Sequence, residues 1–205
     1  MKPRVIILSA FLSPFRSGAE ACVEEVALHL ADRFAITIVT AKLTRNLPRK
    51  DSLQGKVAIQ RVGLGLRIDK WLFPFLAPFT CRSIARYAPT GSPVIIHAIL
   101  ETFAGLALHF CMWMLPSAKR LLTLQTTNRS FLKKVVLRSP HAVTAISSVL
   151  KEQAEALGRS DVTVIPNGVD TASFPVQEKV PGRVLFVGRL ERMKGVDTLL
   201  AAFAK

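Results

Sequence analysis

Three cations lie close together near the end of the chain, where they could bind an anion. They are Arg189, Arg192 and Lys194, and they stand between the apolar run 184–187 and Gly195. A helix that begins at this point would present free backbone N–H groups and the positive end of its dipole, both of which favour an anion. The spacing therefore indicates a phosphate-binding site, although solvated loop cations would show the same spacing.

The elements on either side of these cations can be predicted from the apolar pattern. The run 184–187 predicts a buried strand of a parallel sheet. After Gly195, apolar side chains recur on one face of a helix, at Val196, Leu199, Leu200 and Phe203. This strand, loop and helix would hold the three cations in place.

The rest of the chain alternates short apolar runs with helical segments. Seven runs predict strands, at residues 5–9, 35–40, 57–62, 94–98, 121–124, 142–146 and 162–165. Gly18 lies in the loop between the first strand and the first helix, which is the first unit of a Rossmann-like half. The alternation predicts an α/β fold with a doubly wound parallel sheet.

Three segments are less regular or do not fit a strand. The polar, basic segment 42–55 predicts a long loop. In the apolar segment 71–79, Pro74 and Pro78 predict that no single regular helix passes through, so it is either a membrane-facing or acceptor-facing loop or a hinged helix packed on the sheet. The apolar segment 103–115 is too short to cross a bilayer and predicts a buried helix.

Charge and cysteine content limit the partners and the compartment. The net charge of +14 favours phosphates or an anionic membrane surface, while no recognisable nucleic-acid motif is present, so we expect no nucleic-acid partner. Three cysteines without a close pair indicate neither a disulfide framework nor a zinc site. We expect no signal peptide and a cytoplasmic protein, with a peripheral position at the cytoplasmic face of a membrane as a further expectation.

Two motifs resemble those of a known family. Residues 186–190 with 194–197 resemble the start of the C-terminal, donor-binding domain of glycosyltransferase family 4, a group of GT-B enzymes. Residues 164–170 with Phe174 resemble the junction between that family's two domains. The resemblance implies a Rossmann-like acceptor-side domain over residues 1–175. Residues 176–205 would be a linker and the first strand and helix of a second Rossmann-like domain.

The same resemblance implies that the donor domain continues after Lys205. Family members carry there a Glu-x7-Glu motif that contacts the donor sugar and the nucleotide ribose. We therefore expect residues 1–205 alone to catalyse no transfer.

The resemblance also assigns the donor diphosphate to particular residues. Arg189 and Lys194 match the family's diphosphate-binding Arg and Lys. Gly18 matches a Gly-rich turn whose backbone approaches the donor phosphate or the acceptor, although Ser17 and Ala19 flank it where a second glycine often stands. As an isolated glycine at a helix entry, Gly18 would more often have a structural role.

Two candidate catalytic residues lie near strand ends, where ligands collect in open parallel sheets. Gln125 follows the run 121–124 and corresponds to a region in which many family members carry a His near the anomeric carbon. Glutamine donates and accepts hydrogen bonds but does not exchange protons at neutral pH, which puts an acid-base role in doubt. His97, near the end of the run 94–98, is the second candidate; a satisfied core histidine is the alternative.

The function implied by the resemblance is that of a retaining glycosyltransferase. It would use a nucleoside-diphosphate-sugar donor and a glycan, lipid-linked or small-molecule acceptor, with no further cofactor and no required metal ion. The absence of any Asp-x-Asp sequence agrees with a metal-independent reaction. The alternative is a noncatalytic, basic domain that binds a membrane surface or a polyanion.

Overall fold

The computed structural model describes residues 2–15, 17–88, 91–128, 131–174, 178 and 180–204. The chain divides into two compact units, Met1–Gly168 and Val169–Lys205. The domain boundary predicted between residues 175 and 176 lies outside the described residues.

One sheet of eight strands organises the described part of the first unit. The strands are β1 (Arg4–Leu8), β2 (Ala35–Ala41), β3 (Lys50–Leu53), β4 (Val57–Val62), β5 (Val94–Ile99), β6 (Lys119–Leu124), β7 (Ala142–Ala145) and β8 (Val162–Val164). Their order is β3-β4-β2-β1-β5-β6-β7-β8, and every neighbouring pair is parallel except β3 and β4. After β1 the chain adds β2, β3 and β4 on one side of β1, and it then adds β5, β6, β7 and β8 in sequence on the other side. The strand order therefore reverses between β1 and β5, the place where such sheets bind ligands beyond the carboxyl ends of their strands.

Helices cover both faces of this sheet, which explains why a central strand such as β1 is apolar on both faces. The helices of the first unit are α1 (Gly18–Leu30), α2 (Asp69–Ala85), α3 (Phe103–Met114), α4 (Phe131–Val136) and α5 (Ser148–Ala156). Successive residues of β1 point to opposite faces, so Ile6 and Leu8 join the core under α2 and α3. Val5 and Ile7 join the core under α1. The predicted doubly wound α/β fold is confirmed.

The helix α2 runs through both of its prolines. The prediction that Pro74 and Pro78 prevent a single regular helix is therefore wrong. Both prolines are buried, as are Phe73 and Ala77 beside them. Burial of this apolar face in the core offsets the two backbone hydrogen bonds that the prolines cannot donate.

The start of α2 is fixed by a buried carboxylate. Asp69 is fully buried and accepts hydrogen bonds from the backbone N–H groups of Leu64, Gly65 and Leu66 at 2.9, 2.7 and 3.1 Å. Gly63 has a φ of +114° and lies so close that an added Cβ would collide with this carboxylate. The two glycines of this segment therefore serve the fold by letting the backbone wrap around Asp69.

The segment 42–55, predicted as a loop, contains the edge strand β3. This strand pairs antiparallel with β4, from Lys50 opposite Gln60 to Leu53 opposite Val57. Its residues are mostly exposed and polar, so they show no apolar alternation that the sequence could reveal.

The predicted buried helix over 103–115 is confirmed as α3, whose Ala104, Ala107 and Leu108 lie in the core. Across the described ranges of the chain, the structure contains no helix with both the length and the apolar character needed to span a bilayer.

The second unit is small and contains the predicted final helix. It has two short 3₁₀ turns, Thr171–Ser173 and Arg192–Lys194, followed by α6 (Val196–Phe203). The strand predicted over 184–187 is not formed, and Leu185 and Val187 are more than four-fifths exposed. A strand is stabilised by hydrogen bonds to a neighbouring strand, and none of the described residues forms a ladder with this run.

Candidate active site

The side chain of Gln125 pairs with that of Asn167. Gln125 follows directly after β6, and Asn167 lies in the turn after β8, so both extend from the carboxyl ends of parallel strands. Gln125 Nε2 donates to Asn167 Oδ1 at 3.3 Å, and Asn167 Nδ2 donates to Gln125 Oε1 at 3.2 Å. The predicted strand-end residue and the predicted domain-junction motif thus meet in one place.

Cys22 on α1 completes this group. Its Sγ lies 3.3 Å from Asn167 Oδ1 and accepts a hydrogen bond from Gln125 Nε2 at 3.7 Å. Burial raises the pKa of the Cys22 thiol, and the hydrogen bond from Gln125 opposes that rise in part. We call Cys22, Gln125 and Asn167 the amide cluster. At neutral pH its members are uncharged, so the cluster is suited to hydrogen bonding rather than to proton exchange.

A buried carboxylate holds the backbone on which Gln125 stands. Glu101, two residues after β5, accepts a hydrogen bond from the Gln125 backbone N–H at 3.1 Å. Its other oxygen accepts from Thr126 Oγ1 at 2.7 Å. Glu101 therefore ties the end of β6 to the end of β5, beside the point where the strand order reverses.

Lys133 on α4 neutralises Glu101. Its Nζ lies 3.2 Å from Glu101 Oε1, and the two side chains are 2% and 3% exposed. The same ammonium donates to the Thr126 carbonyl oxygen at 2.9 Å and to Gln153 Oε1 at 3.3 Å. A buried ion pair is tolerated only when its remaining hydrogen-bonding capacity is used, as it is here. The pair fixes the segment that carries Gln125.

Sequence reasoning missed both members of this pair. Glu101 carried a usable signal, because a charged residue two positions after a buried strand lies where ligand sites form. Lys133 carried none, since it is one of several cations in its segment and nothing in the spacing marks it as buried. Cys22 was missed for a similar reason, because it lies 103 residues from Gln125.

His97 lies within β5, two residues before that strand ends. Its Nε2 is 2.8 Å from Thr123 Oγ1, which in turn is 2.8 Å from Thr144 Oγ1. Burial lowers the pKa of His97 to about 4, so the imidazole is neutral at pH 7. These contacts link His97 to neighbouring strands rather than to Gln125, and its catalytic role stays a prediction.

Gly18 is the first residue of α1 and is exposed. An added Cβ would meet nothing within 4 Å, so the fold itself does not require glycine at this position. The first turn of α1 already has an internal anion, because Glu20 accepts hydrogen bonds from the backbone N–H (2.8 Å) and the hydroxyl of Ser17. The diphosphate contact assigned to Gly18 stays a prediction.

The predicted diphosphate-binding cations lie in the second unit. Arg189 is exposed, and its Nη1 forms an ion pair with Glu191 Oε1 at 2.9 Å. Lys194 is also exposed and ends the 3₁₀ turn before Gly195, whose φ of +71° allows the chain to turn into α6. Within this unit, the three cations of the segment thus precede a helix N-terminus, as predicted.

The first unit therefore brings Gln125 together with Asn167, while His97 contacts neighbouring strands. Within the described ranges, no group of three or more His, Cys, Asp or Glu side chains could hold a metal ion.

One protein family matches most of the chain, and individual relatives match a shorter part of it. The model for Glycosyltransferase Family 4 matches residues 16–173. Glycogen synthases from two strains of Mycobacterium tuberculosis are 35% identical over 77 residues, which is 35% of this chain and 19% of the relatives. The matched region thus covers about one fifth of those relatives.

Solved structures show the same fold. A sucrose-phosphate synthase from Thermosynechococcus elongatus has a TM-score of 0.63 and 19% identity, over 99% of this chain and 60% of that one. A trehalose-6-phosphate protein from E. coli bound with UDP-2-fluoro glucose has a TM-score of 0.54 and 10% identity, over 83% of this chain and 50% of that one. These neighbours are GT-B glycosyltransferases, so the predicted GT-B fold class is confirmed.

Proposed function

Because the chain belongs to glycosyltransferase family 4, we propose that it transfers a sugar from a nucleoside-diphosphate sugar to an acceptor. The transfer retains the configuration at the anomeric carbon and requires neither a metal ion nor a further cofactor. The acceptor is a glycan, a lipid-linked molecule or a small molecule.

The observation that carries this proposal is the pairing of Gln125 with Asn167 at the carboxyl edge of the sheet. Each side-chain amide has two N–H donors and two acceptor lone pairs. Within the described part of the chain, one lone pair of Gln125 Oε1 and one N–H of Asn167 Nδ2 are left for a bound hydroxyl. The amide cluster can therefore orient an acceptor hydroxyl without taking its proton.

Arg189 and Lys194 would bind the diphosphate of the donor. Charge develops on the diphosphate as the bond from the sugar to the leaving group breaks. The two cations and the backbone N–H groups at the N-terminus of α6 would stabilise that charge. Because the charge is larger in the transition state than in the bound donor, the stabilisation is also larger there. This arrangement supplies electrostatic stabilisation that other enzymes obtain from a metal ion.

The test is a transfer assay on the full-length protein with a panel of UDP-, ADP- and GDP-hexoses, followed by NMR of the product's anomeric proton. We expect turnover with one base class, retention of configuration, and unchanged activity in EDTA. Inversion, or loss of activity on chelation that Mg²⁺ restores, would contradict the mechanism. Absence of turnover and of donor binding across the panel would contradict the function.

The exposed aromatic residues of α2 favour a second property, attachment to a membrane surface. Trp71, Phe75 and Phe79 are each more than half exposed on one helix, and the chain carries a net charge of +14. We propose that this surface also attaches the protein to an anionic membrane, at the cytoplasmic face. Vesicle flotation should show binding that increases with anionic lipid and weakens with salt. Binding to vesicles without turnover would favour the noncatalytic alternative.

A further inference from the structure

A cavity of about 470 Å³ lies at the outer edge of the sheet, between α2 and the strands β3 and β4. Its polar side is formed by Arg49, Lys50 and Arg61, and its apolar side includes Leu64 and Phe79. This volume lies within the range of about 300 to 1,000 Å³ that is typical of small-molecule sites. None of the residues in the amide cluster or in the cation segment before α6 lines this cavity.

Arg49 and Lys50 bring two positive charges to the cavity that the fold leaves without a counter-charge. Both residues are exposed, and neither forms an ion pair within the described part of the chain. The segment 42–70 contains eight Lys and Arg residues but two carboxylates, Asp51 and Asp69. Asp51 pairs with the third cation of the cavity, and the buried Asp69 accepts three backbone hydrogen bonds. Both carboxylates of this segment are therefore already engaged.

Arg61 adds hydrogen-bond donors at a fixed position. Its side chain is 4% exposed, and its Nη1 donates to Asp51 Oδ2 at 2.9 Å and to the Pro48 carbonyl oxygen at 3.2 Å. These contacts hold the guanidinium through one nitrogen. Its Nε and Nη2 donate to none of the described residues, so their N–H groups remain for a ligand. Through such a pair of nitrogens a guanidinium can bind two oxygens of one phosphate.

The apolar side of the cavity is open to solvent. Leu64 and Phe79 are both 64% exposed, although both line the cavity. A ring that lies on these side chains would remove apolar surface from water, which is favourable. The cavity therefore places cations on one side of a ligand and a ring-sized apolar surface on the other.

The charges indicate a phosphate monoester rather than a neutral or singly charged group. Such a phosphate carries a charge of about −1.5 to −2 at pH 7 and three acceptor oxygens. It can neutralise the two unpaired cations and accept from Arg61 at the same time. A carboxylate brings one charge and two oxygens, and an uncharged ring brings no counter-charge at all.

We propose that this cavity binds a phosphorylated small molecule, with Arg49 and Lys50 neutralising its phosphate and Arg61 donating to the phosphate oxygens. The sugar or aromatic ring that carries the phosphate packs on Phe79. This inference goes beyond the proposed function, because it adds a binding site outside the candidate active site and requires no sugar transfer.

Isothermal titration calorimetry on the full-length protein tests this proposal. The protein carries Arg189→Ala/Lys194→Ala, so that the proposed donor site does not contribute phosphate binding. Phenyl phosphate should bind saturably, benzoate at least about fivefold more weakly, and benzyl alcohol not at all. Inorganic phosphate should bind more weakly than phenyl phosphate, and added salt should weaken both. Absence of phosphate binding, or equal affinity for phenyl phosphate and benzoate, would overturn the proposal.

A matched pair of variants separates this site from the general positive charge of the chain. Lys50 and Lys56 are exposed cations of one hairpin, but Lys56 does not line the cavity. Lys50→Gln and Arg49→Gln should each weaken phenyl phosphate binding about fivefold, while Lys56→Gln leaves it unchanged. Equal weakening in Lys50→Gln and Lys56→Gln would overturn the site.

Phe79→Ala tests the apolar side of the cavity separately. Since inorganic phosphate has no ring, this change should leave its affinity unchanged and weaken phenyl phosphate binding severalfold. An unchanged affinity for phenyl phosphate would contradict the packing of the ring on Phe79. All of these titrations are made without donor and acceptor, so their outcome does not depend on sugar transfer.

Discussion

The side-chain amides of Gln125 and Asn167 exchange two hydrogen bonds across 42 residues of sequence. The pair joins the end of β6 to the turn after β8, so neither residue orients its amide alone. If the pair positions an acceptor hydroxyl, the contributions of the two residues to turnover must be coupled.

The first prediction is therefore a double-mutant cycle in the full-length enzyme. Gln125→Ala and Asn167→Ala should each lower kcat about tenfold, the scale of one lost hydrogen bond, while the Kd for donor stays nearly constant. Because either change disrupts the same pair, the double variant should lose little more than each single one. Wild-type kcat in both single variants, or strictly additive losses, would contradict a shared role.

The second prediction concerns the buried pair of Glu101 and Lys133. Lys133→Met leaves an unpaired buried carboxylate and should cost about 3 to 5 kcal/mol in the free energy of unfolding, measured by urea denaturation. Removing both charges in Glu101→Gln/Lys133→Met should cost less than the sum of the single changes.

Lys151→Met is the control for this measurement. Lys151 and Glu155 form an ion pair at 3.9 Å with both side chains 41% exposed. Its removal should change stability by no more than about 1 kcal/mol. Similar losses of unfolding free energy in Lys133→Met and Lys151→Met would show that burial of the Glu101–Lys133 pair does not increase the cost of breaking it.

The strands and helices that could be predicted are those with a strong apolar pattern. β1 is buried on both faces, so its continuous apolar run identified it. The edge strand β3 could not be found this way, because Lys50, Asp51 and Ser52 are exposed and polar. The prolines of α2 led to a wrong prediction, because proline has a low propensity for the interior of a helix. Burial of the apolar face of α2 in the core stabilises the helix in spite of them.

The candidate site was only partly predictable from sequence. Gln125 could be predicted as a site residue from its place at a strand end and from the family resemblance. Its contacts with Cys22 and Glu101 come from remote segments, and no spacing rule connects residues 103 and 24 positions apart. Burial of Lys133 likewise depends on how α4 packs, which the isolated segment does not reveal.

The third prediction is a pH dependence of stability caused by His97. Its pKa is about 4 in the folded protein because of burial, and an exposed histidine in the unfolded chain has a pKa near about 6.5. The unfolded chain therefore binds the proton first as the pH falls. The contribution of neutral His97 to stability is fully present above about pH 6.5 and is lost progressively toward pH 4, by up to about 1.4 kcal/mol per pH unit.

His97→Gln provides the comparison, because glutamine can keep a hydrogen bond to Thr123 but does not titrate. The difference in unfolding free energy between wild type and variant should change between pH 7 and pH 4.5. A difference that is constant over this range would show that His97 is not buried in its neutral form. The activity profile should likewise contain no ionisation of His97 near neutral pH.

The fourth prediction uses the open space beside Gly18. Since an added Cβ meets nothing within 4 Å, Gly18→Ala should fold with stability equal to or slightly above wild type. If the backbone of α1 approaches the donor diphosphate, the same change should raise the Kd for donor severalfold. Unchanged donor affinity in this variant would contradict the diphosphate contact assigned to Gly18.

The fifth prediction concerns the cations before α6. In the full-length enzyme, Arg189→Ala and Lys194→Ala should each remove a charge-assisted bond worth about 1.5 to 3 kcal/mol before solvent screening. Because charge on the diphosphate is greatest in the transition state, kcat should fall by more than donor Kd rises. Lys151→Ala is the control for loss of one positive charge, since Lys151 lies on α5, outside this segment, and pairs with Glu155 at 3.9 Å.

The most direct measurement is the rate of sugar transfer by the Arg189→Ala/Lys194→Ala enzyme, with donor affinity determined separately and Lys151→Ala assayed in parallel. The proposed function predicts near-complete loss of transfer in the double variant, a smaller loss of donor affinity and wild-type activity in the control. Full transfer activity in the double variant would contradict it.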